Sequence, residues 1–199
     1  SDAIEPLLDL GIDPYFVTTN GCTALSHACI AGDVKAVKIL CERMDIIEIP
    51  SKGVENFSSI ARFAVSSKNL EILKLVLNKG CDLNRYDYAC EIPADAIRGT
   101  INDELAVQFI DLMVKHGFDI NVRSEVKNSS FIDRLMDFAT VGKYPKLCDY
   151  LLSHHADVKY KFADGKTLLD KVKSWKSQRR SNKKMYYDIF CQYYPEIKT

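Results

Sequence analysis

An aspartate followed by proline or a branched aliphatic residue returns five times along this chain, each time directly after a helical apolar stripe. It stands in "LGIDP" at Asp13, "RMDI" at Asp45, "KGCDL" at Asp82, "HGFDI" at Asp119 and "HHADV" at Asp157, at intervals of 32, 37, 37 and 38 residues. Periods of this length mark stacked supersecondary units, in which each unit buries its apolar face against the next. After four of the five aspartates, ten residues on, comes a helix-start signal: Thr23, Ile92 with Pro93, Ser129 and Thr167. The segment after Asp45 breaks step, and its helix is expected to start near Ser58 or Ser59.

Within each period the spacing predicts two unequal helices. The second carries a one-sided apolar stripe: Val34, Val37, Leu40 and Cys41, then Leu70, Leu73, Val76 and Leu77. Val107, Ile110, Met113 and Val114 repeat it, as do Leu147, Tyr150 and Leu151. The first helix is poorer in bulk, with Ala24, Ala28 and Ala31 or Ala94 and Ala96, which lets it lie close to its neighbours. Gly11, Gly80 and Gly117 follow second helices, where a left-handed C-terminal cap favours glycine.

These residues carry a resemblance. "GIDPYFVTTNGCTALSHA" resembles the ankyrin repeat across a hairpin and helix start, with "TALSHA" where that family has T-P-L-H-x-A. "GCDLNRYDYACEIPADAI" and "HADVKYKFADGKTLLDKV" are similar in the same frame. The resemblance implies an all-α ankyrin-repeat solenoid of paired antiparallel helices with β-hairpin or loop fingers, as a single domain over 1–199. Its expected divisions are a partial N-terminal repeat at 1–12, repeats near 13–45, 46–81, 82–118 and 119–156, and a C-terminal capping repeat at 157–199. The family's histidine is replaced by Ser26, Asp95, Ile132 and Asp170, so a less regular and less stable array is expected. Opening on Ser1 and on "AIEPLLDLG", which reads as the second half of a repeat, the chain is expected to be cut from a longer protein.

The candidate chemistry is thin. "DGKT" at 164–167 lacks the earlier glycine of a phosphate-binding loop, since Tyr160 stands there, and reads as a finger turn. His154 and His155 have no second ligand pair at metal-site spacing and read as an irregular helix end. Cys22 has no histidine or carboxylate placed to activate it. Seven scattered cysteines without a C-x-x-C pair fit reduced thiols better than zinc or disulfides. The stretch 171–184 holds seven basic residues and no acid, and reads as a solvated loop, with a nuclear import signal or nucleic-acid patch as the alternative. Ile189, Phe190 and Tyr193 are expected to close the core at its C-terminal end.

With 27 basic and 27 acidic residues, no global field favours nucleic acid or a membrane surface, and no apolar run reaches membrane-spanning length. The expectation is a non-catalytic, scaffold-like protein-interaction module without cofactor, metal or small-molecule substrate, located in the cytoplasm, with the nucleus as alternative. The competing expectation is a targeting or regulatory segment of a larger multidomain enzyme or microbial effector whose catalysis lies elsewhere. In proteins with this resemblance, partners meet the concave groove of fingertips and first helices. Carried onto this frame, that surface comprises Val17, Thr19, Asn20, Cys22 and Ile30, then Tyr86, Tyr88 and Glu91. Arg123, Glu125 and Asn128 continue it, and Lys161, Asp164 and Lys166 complete it. Tyr and Arg are the commonest interface anchors, which singles out Tyr86, Tyr88 and Arg123.

The stripe assignment makes a first prediction. Leu73→Ala should cost about 2–5 kcal/mol of stability in a urea titration, and a loss under about 0.5 kcal/mol, the usual range for a surface site, would remove Leu73 from the core.

Overall fold

The structure is a computed structural model; it describes residues 2–47, 59–84, 91–97, 102–124, 129–137, 144–162, 164–178 and 182–199. The chain divides into two compact units, Ser1–Tyr86 with Lys115–Phe118, and Asp87–Val114 with Asp119–Thr199.

In the first unit, α1 (Ile4–Asp9) is followed by two helix pairs, α2 (Ala24–Ala31) with α3 (Val34–Arg43) and α4 (Ile60–Ser66) with α5 (Leu70–Asn78). Each pair packs internally, α2 lies against α4, and α3 touches both α1 and α5. First helices thus neighbour first helices and second helices neighbour second, the arrangement that stacks repeats. Most of the stripe predicted from spacing is buried: Val37, Leu40 and Cys41 on α3, and Leu73, Val76 and Leu77 on α5, while Val34 and Leu70, at the helix starts, are half-buried. Small residues do allow the first helices to approach, with Ala61 and Ala64 fully buried on α4 and Ala28 buried on α2. Ala24 and Ala31, expected in that role, instead face outward.

Local chemistry sets the helix ends. Thr23 and Ser26 form a reciprocal capping box at α2, and Asp33, Ser59 and Asn69 cap α3, α4 and α5. Gly11 and Gly80 adopt φ of +86° and +88° after second helices, and Gly117 adopts +89°. The turn joining each helix pair needs the same backbone: Gly32 supplies it at φ +70° between α2 and α3, and Lys68 at +57° between α4 and α5.

The second unit contains α6 (Glu91–Ile97), α7 (Asp103–Lys115, to Val114 in this unit), β1 (Arg123–Ser124), β2 (Ser129–Ser130), α8 (Phe131–Asp137) and α9 (Pro145–Ser153). Then follow α10 (Leu168–Lys173), a 3₁₀ turn (Ser174–Ser177), α11 (Asn182–Tyr193) and a last 3₁₀ turn (Pro195–Lys198). Again α6 packs on α8, while α9 packs on α11. Helix α9 has no cap of its own, because Tyr144 at its start has no short acceptor side chain. The carboxylate of Asp103, at the start of α7, accepts the Lys146 N–H at 2.7 Å and the Leu147 N–H at 3.0 Å instead. Tyr144 is buried; its hydroxyl donates to the Ile97 carbonyl at 2.8 Å, and its N–H donates to the Tyr186 hydroxyl at 2.9 Å. Burial raises the Tyr186 hydroxyl's pKa to about 12.

Three details revise the sequence expectations. Helix α8 starts at Phe131 and not at Ser129, because the fourth finger is one residue longer. The place assigned to Ile132 belongs to Asp133, whose Oδ2 accepts the Ser130 N–H at 2.8 Å and its hydroxyl at 3.0 Å, as Asp170 does for Thr167. In α11 the core face is Tyr186, Tyr187, Phe190 and Cys191, while Ile189 and Tyr193 are half-buried. The fingers are turns apart from one short antiparallel ladder, Arg123 opposite Ser130 and Ser124 opposite Ser129, among the described residues.

A β-carbon added at Gly80 would meet nothing within 4 Å, so only its backbone conformation resists substitution. Gly80→Ala should therefore cost about 1–2 kcal/mol. Lys68→Gly should stabilise by up to about 1 kcal/mol, the relief of strain less the added chain entropy. Urea midpoints check both, and a neutral Gly80→Ala would contradict the strain argument.

Candidate functional site

The marker aspartates have a structural task. Asp13, Asp82, Asp119 and Asp157 each accept, through Oδ1, the N–H two residues on, at 2.8–2.9 Å. This turn starts the finger, and in the first three cases the residue at that second position, Tyr15, Asn84 or Asn121, bonds the backbone where the next finger begins. In the first unit the Tyr15 hydroxyl accepts the Asp45 N–H at 2.9 Å, and Asn84 Nδ2 donates to the Gly117 carbonyl at 2.7 Å. In the second, Asn121 Nδ2 donates to the His155 carbonyl at 3.3 Å while its Oδ1 accepts the Asp157 N–H at 2.7 Å. His155 takes φ +61° at the place that Gly11, Gly80 and Gly117 hold in three other repeats, which fits the irregular helix end read from the sequence.

The first finger closes on itself. Thr18 N–H donates to the Cys22 carbonyl at 2.9 Å, the Thr18 hydroxyl accepts the Cys22 N–H at 3.2 Å, and Gly21 N–H donates to the Thr18 carbonyl at 2.9 Å. With its backbone satisfied internally, the tip offers Thr19 and Asn20 to solvent, with Val17 and Cys22 half-buried beneath them. Beside the tip, α2 turns Ala24, His27 and Ile30 outward at helical spacing, and Ile30 is 53% exposed. Phe16, 68% exposed at the finger base, and His27 were missed by sequence reasoning; their places in the frame, one position from Val17 and one turn from Ile30, could have found them.

The last finger repeats this geometry. Phe162 N–H donates to the Lys166 carbonyl and Gly165 N–H to the Phe162 carbonyl, both at 2.9 Å. Asp164 Oδ1 accepts the Lys166 N–H at 3.0 Å. Lys161, Asp164 and Lys166 are exposed, and the Thr167–Asp170 box starts α10. The hydrogen bonds from Thr167 lower the Asp170 carboxyl's pKa. "DGKT" is thus a finger turn running into a capped helix.

Arg123 is placed differently from the expectation of a presented anchor. Its side chain is 19% exposed, it donates to Asp133 Oδ2 at 3.0 Å, and its guanidinium carbon lies 3.6 Å from the centroid of the Tyr160 ring. The side chain holds the fourth finger to α8 and to the fifth finger, and Arg123→Ala would leave a buried carboxylate without its cation. Tyr86, Tyr88, Glu125 and Asn128 lie outside the described residues; Glu91 begins α6, with its side chain also outside them.

Desolvation raises the pKa of the buried Cys29 thiol to about 12 and pushes those of Cys41 and Cys148 upward, which keeps them protonated and inert. Cys22 alone of the described cysteines is half-exposed. Among the described residues no group of three or more His, Cys, Asp or Glu could hold a metal ion, and no helix is long and apolar enough to cross a membrane.

Residues 1–87 match the family model for ankyrin repeats (3 copies). No curated protein sequence matches the chain. Among solved structures, an ankyrin repeat domain from Acinetobacter baumannii is similar with a TM-score of 0.69 at 18% identity, covering 96% of this chain and 91% of its own. The ankyrin repeat domain of Bcl-3, a member of the IkappaB protein family, gives 0.65 at 20% identity, over 95% of this chain and 76% of its own. The human ASB11 ankyrin repeat domain gives 0.58 at 15% identity, over 94% and 91%. The chain thus matches the ankyrin-repeat family in sequence over residues 1–87 and shares the ankyrin-repeat fold over almost its whole length.

Proposed function

We propose that this chain is a non-catalytic protein-interaction module whose partner meets the fingertips and the outward faces of the first helices. Ankyrin repeat domains generally mediate protein–protein interaction and are typically without catalysis. The observation that carries the reading here is the first finger: its backbone is hydrogen-bonded within itself, while Thr19, Asn20 and Ile30 stay open to solvent. A surface already ordered before contact loses little entropy on binding, so modest contacts suffice for useful affinity. Lys161, Asp164 and Lys166 offer the equivalent surface in the second unit, and Val17 and Cys22 form the base of the first. Tyr86, Tyr88, Glu91, Glu125 and Asn128 hold the corresponding finger and helix-start positions of their own repeats in the repeat frame, and the proposal includes them on that ground. Cys22, Cys29, Cys41, Cys148 and Cys191 form no disulfide among the described residues, in support of a reducing compartment such as the cytoplasm.

The test is affinity capture of partners from the native cell by the wild type and by Asn20→Ala/Ile30→Asp, read by quantitative mass spectrometry. Both positions are exposed, so the variant should keep its circular dichroism and urea midpoint while the specific partner falls at least about tenfold, the loss of about 1.4 kcal/mol. Lys74→Glu, on the exposed side of a second helix, should leave capture unchanged. Undiminished capture by the folded double variant would refute the proposed face.

A further inference from the structure

The balanced net charge conceals a division along the chain. Residues 157–199 carry eleven Lys and Arg against five Asp and Glu, whereas residues 1–156 carry 16 against 22, so the last repeat holds net +6 and the remainder net −6. We infer that the last repeat is the docking site for an acidic segment of the partner protein, seated across the fifth finger and α10.

The arrangement of this repeat favours such a ligand. Along "KYKF" at 159–162 the lysines point to solvent while Tyr160 and Phe162 turn inward and are half-buried. Arg123 covers the Tyr160 ring at 3.6 Å, and the Lys171 ammonium lies 3.5 Å from the Phe162 centroid, so the finger is anchored to α8 on one side and α10 on the other. Lys161, Lys166 and Lys173 are consequently displayed from a fixed frame, and among the described residues none is in ion-pair contact with a carboxylate. Charge displayed in this way steers an oppositely charged partner and sets its orientation.

A peptide suits the surface better than a nucleic acid. Between the finger base and the C-terminal 3₁₀ turn lies an open hollow of about 360 Å³, flanked by Lys159 and Lys173 and floored by Leu169 and Ile197. An aliphatic side chain set between acidic ones fills such a floor, and a phosphate backbone has no group that does. Asp170 and Glu196 also line the hollow and would repel evenly spaced phosphates, whereas a peptide can place its carboxylates at the lysines alone. This inference rests on the protein-interaction reading proposed above and adds the partner's chemistry.

The experiment uses the whole chain and a fluorescein-labelled peptide of mixed Glu, Asp and Leu, with duplex DNA and phosphatidylserine vesicles as competing probes. The peptide should bind at low salt and weaken as salt rises. Lys161→Glu/Lys166→Glu/Lys173→Glu should weaken it at least about tenfold, and the milder triple change to Gln should fall between. Lys38→Glu/Lys74→Glu in the first unit should change it less than about twofold, as for non-contacting charges. Equal peptide binding by the wild type and a folded triple variant would overturn the inference, as would binding of DNA or vesicles in preference to peptide. The capture assay separates the two readings. A triple variant that still captures a finger-dependent partner sinks the acidic-segment inference and leaves the interaction function standing; capture indifferent to the fingers sinks the function itself.

Discussion

A helix pair in this protein does not complete itself; groups from the adjacent repeat complete it. The burial of Leu73 or Leu151 to zero exposure needs the helix next door, because a lone pair of short helices leaves its stripe in water. Each buried aliphatic side chain is worth about 1.5–3 kcal/mol, so what one pair lacks alone the stack supplies. The hydrogen bonds follow the same logic. Tyr15, Asn84 and Asn121 reach from a finger base to the backbone at the far end of the same repeat, where the next finger begins, and Asn121 also accepts the N–H of Asp157, which opens the next repeat. Asp103 supplies α9 with the N-terminal acceptor its own sequence lacks.

This dependence explains why the outward surface is open to specialisation. Once the stripes, caps and marker turns are satisfied inward, the side chains of Thr19, Asn20, Lys161 and Lys166 stand exposed on a backbone that the fingers' own hydrogen bonds hold in place. The fold thereby offers a fixed frame with exchangeable contacts, and the charge of the last repeat can differ from the rest without disturbing the core.

Much of this was legible in the sequence because the telling residues act locally. The aspartate marker bonds two residues ahead, Thr23 and Thr167 cap three residues ahead, and Gly80 reports its own φ. What was illegible depends on neighbours distant in sequence. The extra residue in the fourth finger moved the cap partner from Ile132 to Asp133, a shift visible only once β1 and β2 are paired. Arg123 has the composition of an interface anchor, but the buried Asp133 and the Tyr160 ring claim it. The capping of α9 by Asp103 spans more than forty residues and leaves no local pattern. For the candidate face, the frame gave positions but not exposure, which is why His27 and Phe16 emerged only from the structure.

Completion of one repeat by another is tested most directly by native-state hydrogen exchange on Asp103→Ala. That substitution lies on α7 and removes acceptors from α9. Loss of a cap costs about 0.5–2 kcal/mol, so the amides of α9 should lose protection by roughly 2–30-fold, with α3 and α5 unaffected. Unchanged protection across α9, with the loss confined to α7 itself, would contradict the view that neighbouring repeats finish one another's helices.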